Sequence, residues 1–377
     1  MVEICSVIAI VLWLVRVTVQ RRFAIEIDRP TAVALGGFIL FNVASCFWSI
    51  EPLSSGKAVF SKLFQNVLLF MICLDVFRTP KQFRNIISLL FFSVGLIALD
   101  GLYQKFTGVD LLRRQPLVGG PRFVSASFKN PNNLAGWIML VFYPVLIILF
   151  DKKYFRFTAV RKAVCAAFLI LLFICLMLTD ARAAWISFFC GACIFSTILV
   201  TCFQSKNRLL SFILILCVVG LIWTSTPLFF KERVFSLFDP QTNAERIKLW
   251  HKALIIIKEF NFVGSGINTF AQATRQVSFA GTGYAYPHNF MLHMAAEIGI
   301  PGLVSFLIFL GIYFKKSVTA VCRHHDPLLA GFFTSIAVFL LHSFFDTNIY
   351  SLQLTVLFWI FLGLSSARMK YLSHRSD

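Results

Sequence analysis

The chain has 377 residues, of which 58% are hydrophobic and only 14% are charged, and its mean hydropathy is +0.79. Soluble domains carry about 25% charged residues, so this composition excludes an ordinary water-soluble globular protein. The formal net charge of +18 is typical of some nucleic-acid-binding proteins. Here, however, the basic residues lie in short connections between apolar runs, so we predict a membrane protein and no nucleic-acid partner.

Runs of about 18 or more apolar residues indicate membrane-spanning helices. We predict an all-α fold, a polytopic integral membrane protein with about 11–12 transmembrane helices. Eleven spans are read directly from the sequence, of which the first and the ninth are short. They are Ile4–Val19, Thr31–Ile50, Val59–Val76, Asn85–Leu102, Leu134–Phe150, Val164–Thr179, Ala183–Cys202, Leu209–Phe229, Pro301–Phe314, Leu328–Phe345 and Tyr350–Ala367.

Basic residues in alternate connections set the predicted orientation. Lys and Arg accumulate on the cytoplasmic side of membrane proteins, so the N-terminus is predicted to face outward. We expect a bacterial inner membrane protein, with one membrane domain over residues 1–377 and periplasmic loops at 104–133 and 231–300. The cytoplasmic set is Arg16, Arg21, Arg22, Arg29, Arg78, Lys81, Arg84, Lys152, Lys153, Arg156, Arg161, Lys162, Lys206, Arg208, Lys315, Lys316, Arg323, Arg368, Lys370 and Arg375.

Most of the ten cysteines lie inside apolar runs, where a thiol acts as a small hydrophobic group. We therefore expect no disulfide framework. Cys190 and Cys193 form a Cys-Gly-Ala-Cys spacing in mid-helix, which is predicted to serve packing. Examples within the runs are Cys46, Cys165, Cys175, Cys190, Cys193 and Cys217.

The outward side keeps basic residues despite the insertion bias against them. Long loops cross the membrane regardless of their charge, which is one explanation. An anionic substrate is the other. Arg182 opens the seventh span, Arg246 lies in the long loop, His288 follows Tyr-Pro, and Asp346 ends the tenth span.

Two local patterns bear on these residues. In Asn243–Phe260, helical spacing of Ile247, Trp250, Leu254 and Ile257 predicts an amphipathic helix resting in the lipid headgroup plane, which serves as a strut or as part of a site. Further along, a glycine turn at 264–266 redirects the chain toward His288. Ten residues separate His288 from Gly299, so His288 is predicted to open a short helix that stops at Gly299.

The chemistry of these groups suits a phosphate-bearing substrate. A guanidinium binds phosphate oxygens through paired hydrogen bonds and stays charged at physiological pH. A diphosphate leaves readily, so the remaining task is to activate a hydroxyl, for which histidine is suited. Asp346 or Glu297 could orient such a histidine. The plainer alternatives are that His288 is a helix cap and that each Arg binds a lipid phosphate.

No metal or nucleotide motif accompanies these residues in the sequence. His288 and His293, five residues apart, do not share a helix face, and His324-His325-Asp326 lies in a predicted cytoplasmic loop. No phosphate-cradling or dinucleotide glycine pattern occurs. We therefore predict that the reaction uses no metal and no cofactor, with its energy coming from the substrate.

At these residues the sequence resembles the O-antigen ligase and O-antigen polymerase superfamily of bacterial membrane glycosyltransferases. The resemblance rests on Arg182 at the start of a span, on Arg246-x-x-x-Trp, and on His288 with ten residues to Gly299. The Asp346 position and the stretch Phe128-Lys-Asn-Pro-Asn-Asn-Leu-Ala add to it. The resemblance to ligases implies twelve spans, whereas eleven are read from this sequence. The missing span would lie before Val59.

The resemblance implies a GT-C-like glycosyltransferase that moves a glycan from undecaprenyl diphosphate to a sugar hydroxyl of lipid A–core, inverting the anomeric centre without a metal. It implies that Arg182 and Arg246 hold the diphosphate, that His288 is the base and that Asp346 supports it. Further predicted substrate contacts are Lys62, Arg122 and Glu297. The implied partners are the lipid-linked glycan, lipid A–core or another glycan acceptor, and membrane lipids.

Other functions remain open at this point. A polymerase of the same fold would use a second lipid-linked repeat unit as acceptor, and a protein-glycosylating relative would use a protein. A transporter or flippase should show ionisable residues in mid-membrane or repeated halves, and neither pattern is evident in the sequence. The short loops and the His-to-Gly spacing favour the ligase.

Overall fold

The structure is a computed structural model that describes residues 2–21, 25–117, 123–150, 158–203, 240–277 and 286–374. Within those ranges the regular structure is helical, apart from one isolated bridge between Val109 and Pro116. The chain is an all-α polytopic membrane protein. Nine of the described helices are long and apolar enough to cross a membrane, and a shorter apolar helix begins at Arg29.

Ten of the eleven predicted spans coincide with described helices, and the eighth, Leu209–Phe229, lies outside the described residues. The third span begins at Pro52 and includes a π-helical turn, Val59–Phe64. The helices are α1 Val2–Gln20, α2 Arg29–Ala44, α3 Pro52–Ala58, α4 Gln65–Val76, α5 Pro80–Thr107, α6 Pro131–Phe150, α7 Ala159–Leu178, α8 Arg182–Phe203, α9 Pro240–Glu259, α10 Phe270–Gln276, α11 Phe290–His324, α12 Pro327–Phe344 and α13 Leu352–Ser373.

The chain forms two compact units, each assembled from separate parts of the sequence. Unit 1 contains Met1–Arg78, Ala244–Lys316 and Ser343–Lys370. Unit 2 contains Thr79–Asn243, Ser317–His342 and Tyr371–Asp377. The predicted site residues are divided between them, since Lys62, Arg246, His288, Glu297 and Asp346 belong to unit 1 and Arg182 belongs to unit 2.

Polar contacts in unit 1 join segments that the predicted topology places on the same side of the membrane. Asp28 caps α2 by accepting from the Thr31 backbone N–H, and its carboxylate also contacts the Lys316 ammonium. Burial alone would raise the pKa of the Asp28 carboxyl, but the hydrogen bonds from Lys316 and Thr31 hold it below its usual value. On the same predicted side of the membrane, the Lys370 ammonium pairs with the Glu26 carboxylate at 2.9 Å.

In unit 2 a buried glutamine fastens the loop that follows α5. The Gln104 Oε1 atom accepts from the backbone N–H groups of Ser125 and Ala126 at 2.9 and 2.8 Å. Asp110 is also buried and accepts from the backbone N–H groups of Arg113 and Gln115, both at 2.5 Å. The predicted loop at 104–133 is therefore folded onto the end of α5 over the part that the structure describes.

Two expectations about particular side chains are corrected. Seven described cysteines are free, Cys190 and Cys193 among them, but Cys202 and Cys322 form a disulfide with their Cα atoms 4.6 Å apart. Both lie close to the ends of their helices, where the thiols are not embedded in mid-span. Arg368, counted above as a loop charge, lies within α13 and is fully buried.

Candidate active site

His288 and Asp346 form a hydrogen-bonded pair in unit 1. The Nδ1 atom of His288 lies 3.0 Å from Oδ1 of Asp346, and the His288 side chain is 41% exposed whereas that of Asp346 is 9% exposed. Because an ionised carboxylate only accepts, the pairing assigns the proton to Nδ1 and leaves Nε2 as a free acceptor. This arrangement presents a basic nitrogen at an exposed position, as general base catalysis requires.

The backbone around His288 fixes where its ring lies. His288 has a φ of 46°, in the left-handed region. The next residue, Asn289, caps α11, since its Oδ1 accepts from the backbone N–H groups of Met291 and Leu292 at 2.9 and 3.1 Å. The prediction that His288 opens a helix is therefore confirmed, with Asn289 as the cap and His288 just before it.

Of the two carboxylates proposed to orient His288, the structure selects Asp346. Glu297 instead pairs with His293, whose Nε2 lies 3.2 Å from Glu297 Oε1, and both side chains are almost completely buried. Positions four apart on a helix face each other, which brings His293 and Glu297 together on α11. As a separate contact, the Asp346 Oδ1 atom accepts from the Thr347 backbone N–H at 2.7 Å.

The helix that follows His288 ends at Gly299, as the spacing predicted. Gly299 has φ 77° and ψ 171°, which divides α11 into a short segment before the glycine and a long one after it. The break frees carbonyl groups of the short segment, and the turn at 264–266 satisfies them. Ser265 N–H donates to Ala296 O at 2.9 Å, and Gly266 N–H donates to Glu297 O at 2.8 Å. The glycine turn thus braces the helix that begins beside His288.

Lys62 lies in the π-helical turn and lines a cavity of unit 1. Its Nζ donates to Asn268 Oδ1 at 2.5 Å. The cavity and the open space at its mouth together measure about 740 Å³. Its wall is mostly apolar, from residues such as Phe306 and Trp359, with Glu297 and Tyr350 among the polar residues. A cation beside an apolar cavity suits an amphiphile with an anionic head.

Arg246 lies on α9 in the same unit and is partly exposed. The residue one turn later, Trp250, contacts Phe344 edge-on at 6.0 Å between ring centroids. Since Phe344 precedes Asp346 by two residues, this contact places α9 beside the end of α12 that leads to Asp346. The pair of His288 and Asp346 is called the dyad below. The spacing of Arg246 and Trp250 places both on that face of α9.

The predicted apolar face of α9 is only partly right. Ile257 is 4% exposed and packs, with Ala253 and Ile256, against residues of α10 and α11. Ile247 and Leu254 are instead 58% and 53% exposed. The helix therefore has a face held by the protein and a separate exposed apolar pair, which is the part suited to lipid contact.

Arg182 is the first residue of α8, in unit 2. The turn before it is fixed by the Thr179 hydroxyl, which accepts from the Ala181 backbone N–H at 3.2 Å, and by Asp180, whose φ is 54°. One turn into the helix, the Trp185 indole N–H donates to Leu176 O at 3.1 Å. Arg182 thus begins α8 directly after a well-defined turn that connects α7 to α8. Arg122, the remaining predicted substrate contact, lies outside the described residues.

Sequence reasoning missed the aromatic cluster around His293. The His293 ring stacks on Tyr350 with centroids 3.7 Å apart and planes at 6°, and on Tyr286 at 5.3 Å and 26°. Burial, with a smaller contribution from the Glu297 charge, raises the pKa of the Tyr350 phenol well above its usual value, so the ring stays neutral. The spacing of His293 and Glu297 was the available signal, but His293 was considered only as a metal ligand.

Among the described residues, no group of three or more His, Cys, Asp or Glu side chains is arranged to hold a metal ion. Residues 167–307 match the family model described as O-Antigen ligase. The resemblance to the O-antigen ligase superfamily is confirmed. The matched segment includes Arg182, Arg246 and His288, whereas Lys62 and Asp346 lie outside it. No curated protein matches the chain.

The match to this family model, together with the apolar helices, indicates a multi-pass membrane protein of a glycosyl-transferring type. In general terms, polysaccharide and lipid-linked substrates follow from that family.

Proposed function

We propose that this protein is an inner-membrane glycosyltransferase that moves a glycan from undecaprenyl diphosphate to a sugar hydroxyl of lipid A–core, with its active site facing the periplasm. The single observation that carries the proposal is the His288–Asp346 pair, which lies at the start of α11. The resemblance read from the sequence implies that His288 is the base. The match to an O-antigen ligase model supports the class of reaction.

In the proposed reaction His288 Nε2 accepts the proton of the acceptor hydroxyl. The freed oxygen forms a bond to the anomeric carbon as the bond from that carbon to the diphosphate oxygen breaks, so the configuration inverts. Undecaprenyl diphosphate departs with the bonding electron pair. Asp346 stabilises the imidazolium that forms, as the carboxylate does in other histidine-based sites. The proton then passes from His288 to solvent.

The cationic side chains are proposed to receive the charge that develops on the diphosphate. Arg246 and Arg182 take this role by their correspondence to the family pattern, and Lys62 takes it because it lies at an apolar cavity suited to the prenyl chain. Fixed cations aimed at a leaving group lower the barrier because they need no reorganisation during the reaction.

The decisive experiment is a product assay. Purified protein in detergent or nanodiscs would be mixed with undecaprenyl-diphosphate glycan and lipid A–core, without nucleotide and with EDTA present. Glycan-bearing lipid A is the expected product. Glycan that instead lengthens on the lipid carrier would identify a polymerase, and absence of any glycosyl transfer from the lipid carrier would overturn the proposal.

A further inference from the structure

The two members of the dyad are carried by segments far apart in sequence. His288 precedes α11, and Asp346 follows α12, 58 positions later. The His288 ring is 41% exposed, so few neighbours hold it directly. A base acts efficiently only if its orientation is fixed closely, which requires further contacts between the two segments.

The ring of His293 supplies such a contact. It lies face to face with Tyr350, whose 3₁₀ turn at Asn348–Tyr350 directly follows Asp346 and Thr347. It also stacks on Tyr286, which lies two residues before His288. The ring therefore contacts both of the segments that carry the dyad, and Phe270 contacts it with centroids 4.8 Å apart.

Glu297 holds this ring from the next turn of the same helix, α11. Its Oε1 atom contacts His293 Nε2 at 3.2 Å and accepts from the Phe270 backbone N–H at 3.1 Å. The His293 side chain is 2% exposed and that of Glu297 is 4% exposed. With its carboxylate anchored to backbone, Glu297 fixes the plane in which the His293 ring lies.

Packing alone does not account for a histidine at this position. The Nδ1 atom of His293 is buried and has no hydrogen-bond partner among the described residues. Leaving a buried polar atom without a partner costs free energy, and phenylalanine would stack on the same rings without that cost. The polar ring is therefore explained by its attachment to Glu297, which orients it.

We propose that His293, oriented by Glu297, is a positioning residue that stacks between Tyr286 and Tyr350 and thereby holds His288 against Asp346. The inference rests on the proposed function, since it needs the dyad to act as the base. It assigns to Glu297 a role through His293, in place of the direct substrate contact predicted from the sequence.

The test compares variants that remove or keep the stacked ring. His293→Gln retains a hydrogen-bonding group for Glu297 but loses the ring, and Tyr350→Leu removes the ring from the other side. Tyr350→Phe keeps the ring and is the matched control. We expect kcat for glycan transfer to fall about 10-fold or more in the first two variants. The KM for the lipid-linked donor should change less than kcat does, and Tyr350→Phe should recover most of the kcat that Tyr350→Leu loses.

A second readout separates positioning from general damage to the fold. Loss of positioning lowers kcat while the KM for the donor stays nearly the same, whereas general damage to the fold lowers the amount of folded protein. The proposal is overturned if His293→Gln and Tyr350→Leu keep wild-type kcat, or if Tyr350→Phe loses as much activity as Tyr350→Leu. Full activity of His288→Ala would instead overturn the proposed function itself.

Discussion

At the scale of single residues, the assignment of roles depends on which carboxylate meets which histidine. Asp346 meets His288, and Glu297 meets His293. The sequence indicated both carboxylates as candidates and could not choose, because 58 positions separate His288 from Asp346. Local periodicity describes neighbours on one helix, and it does not specify pairing between distant helices.

The dyad gives the first prediction. Asp346→Asn should lower kcat by about 100-fold or more, because the amide no longer stabilises the imidazolium and favours the wrong tautomer. His288→Ala should be at least as severe. Rates of glycan transfer from the lipid-linked donor would be measured for each purified variant.

The matched control for the dyad is His251→Ala. His251 is an exposed histidine of α9 in the same unit, so its loss should leave kcat within twofold of wild type. Equal losses in His251→Ala and His288→Ala would mean that the effect is not specific to the base.

Lys62 gives the second prediction. Lys62→Ala should raise the KM for the donor about 10-fold or more, since a hydrogen bond to a charged group is worth about 1.5–3 kcal/mol. The effect on kcat should be smaller. Lys57→Ala, which removes an exposed lysine of α3 from the same span, is the control and should leave KM unchanged. A similar KM in both variants would remove Lys62 from the donor site.

At the scale of elements, the existence of the spans was predictable from the sequence. Their exact starts, their local helix type and the burial of individual side chains were not. Long apolar runs determine helix existence, so ten predicted spans coincide with described helices. The π-helical turn that carries Lys62 and the early start at Pro52 have no distinct signal in hydropathy. For α9, the helical spacing was correct, but which apolar residues are buried depends on α10 and α11.

Gly299 gives a prediction about element stability. An alanine there would take a left-handed backbone, and its Cβ would lie 2.6 Å from the Val263 carbonyl oxygen. We expect Gly299→Ala to destabilise the fold by about 1–3 kcal/mol, measured as a lower Tm in detergent.

Gly311 provides the comparison within the same helix. A Cβ at Gly311 would meet nothing within 4 Å, and alanine is the better helix former. Gly311→Ala should therefore keep or raise the Tm. If the two variants unfold at the same temperature, the contact between Gly299 and the 262–264 segment does not stabilise the protein.

At the scale of the whole molecule, the predicted orientation makes a direct prediction. In a background where the exposed Cys5 and Cys193 are replaced by serine, Lys258→Cys on α9 should react with a membrane-impermeant maleimide from the periplasmic side. Lys81→Cys, at the start of α5, should react only after the membrane is permeabilised.

The disulfide makes this labelling experiment informative in a second way. Disulfides persist in oxidising compartments and are rare in the cytoplasm. Cys202 and Cys322 lie at helix ends that the distribution of basic residues assigns to the cytoplasm. Labelling of Lys81→Cys from outside, without labelling of Lys258→Cys, would reverse the orientation and agree with the disulfide.

The composition of unit 1 has a consequence for how the protein is made. Its three parts begin at Met1, Ala244 and Ser343. The ribosome releases earlier segments first, so the helices up to Arg78 are made before the parts that begin at Ala244 and Ser343. Asp346 emerges after Lys62, Arg182, Arg246 and His288. The base dyad therefore forms only after Asp346 has been translated, and a product truncated before that residue is predicted to be inactive.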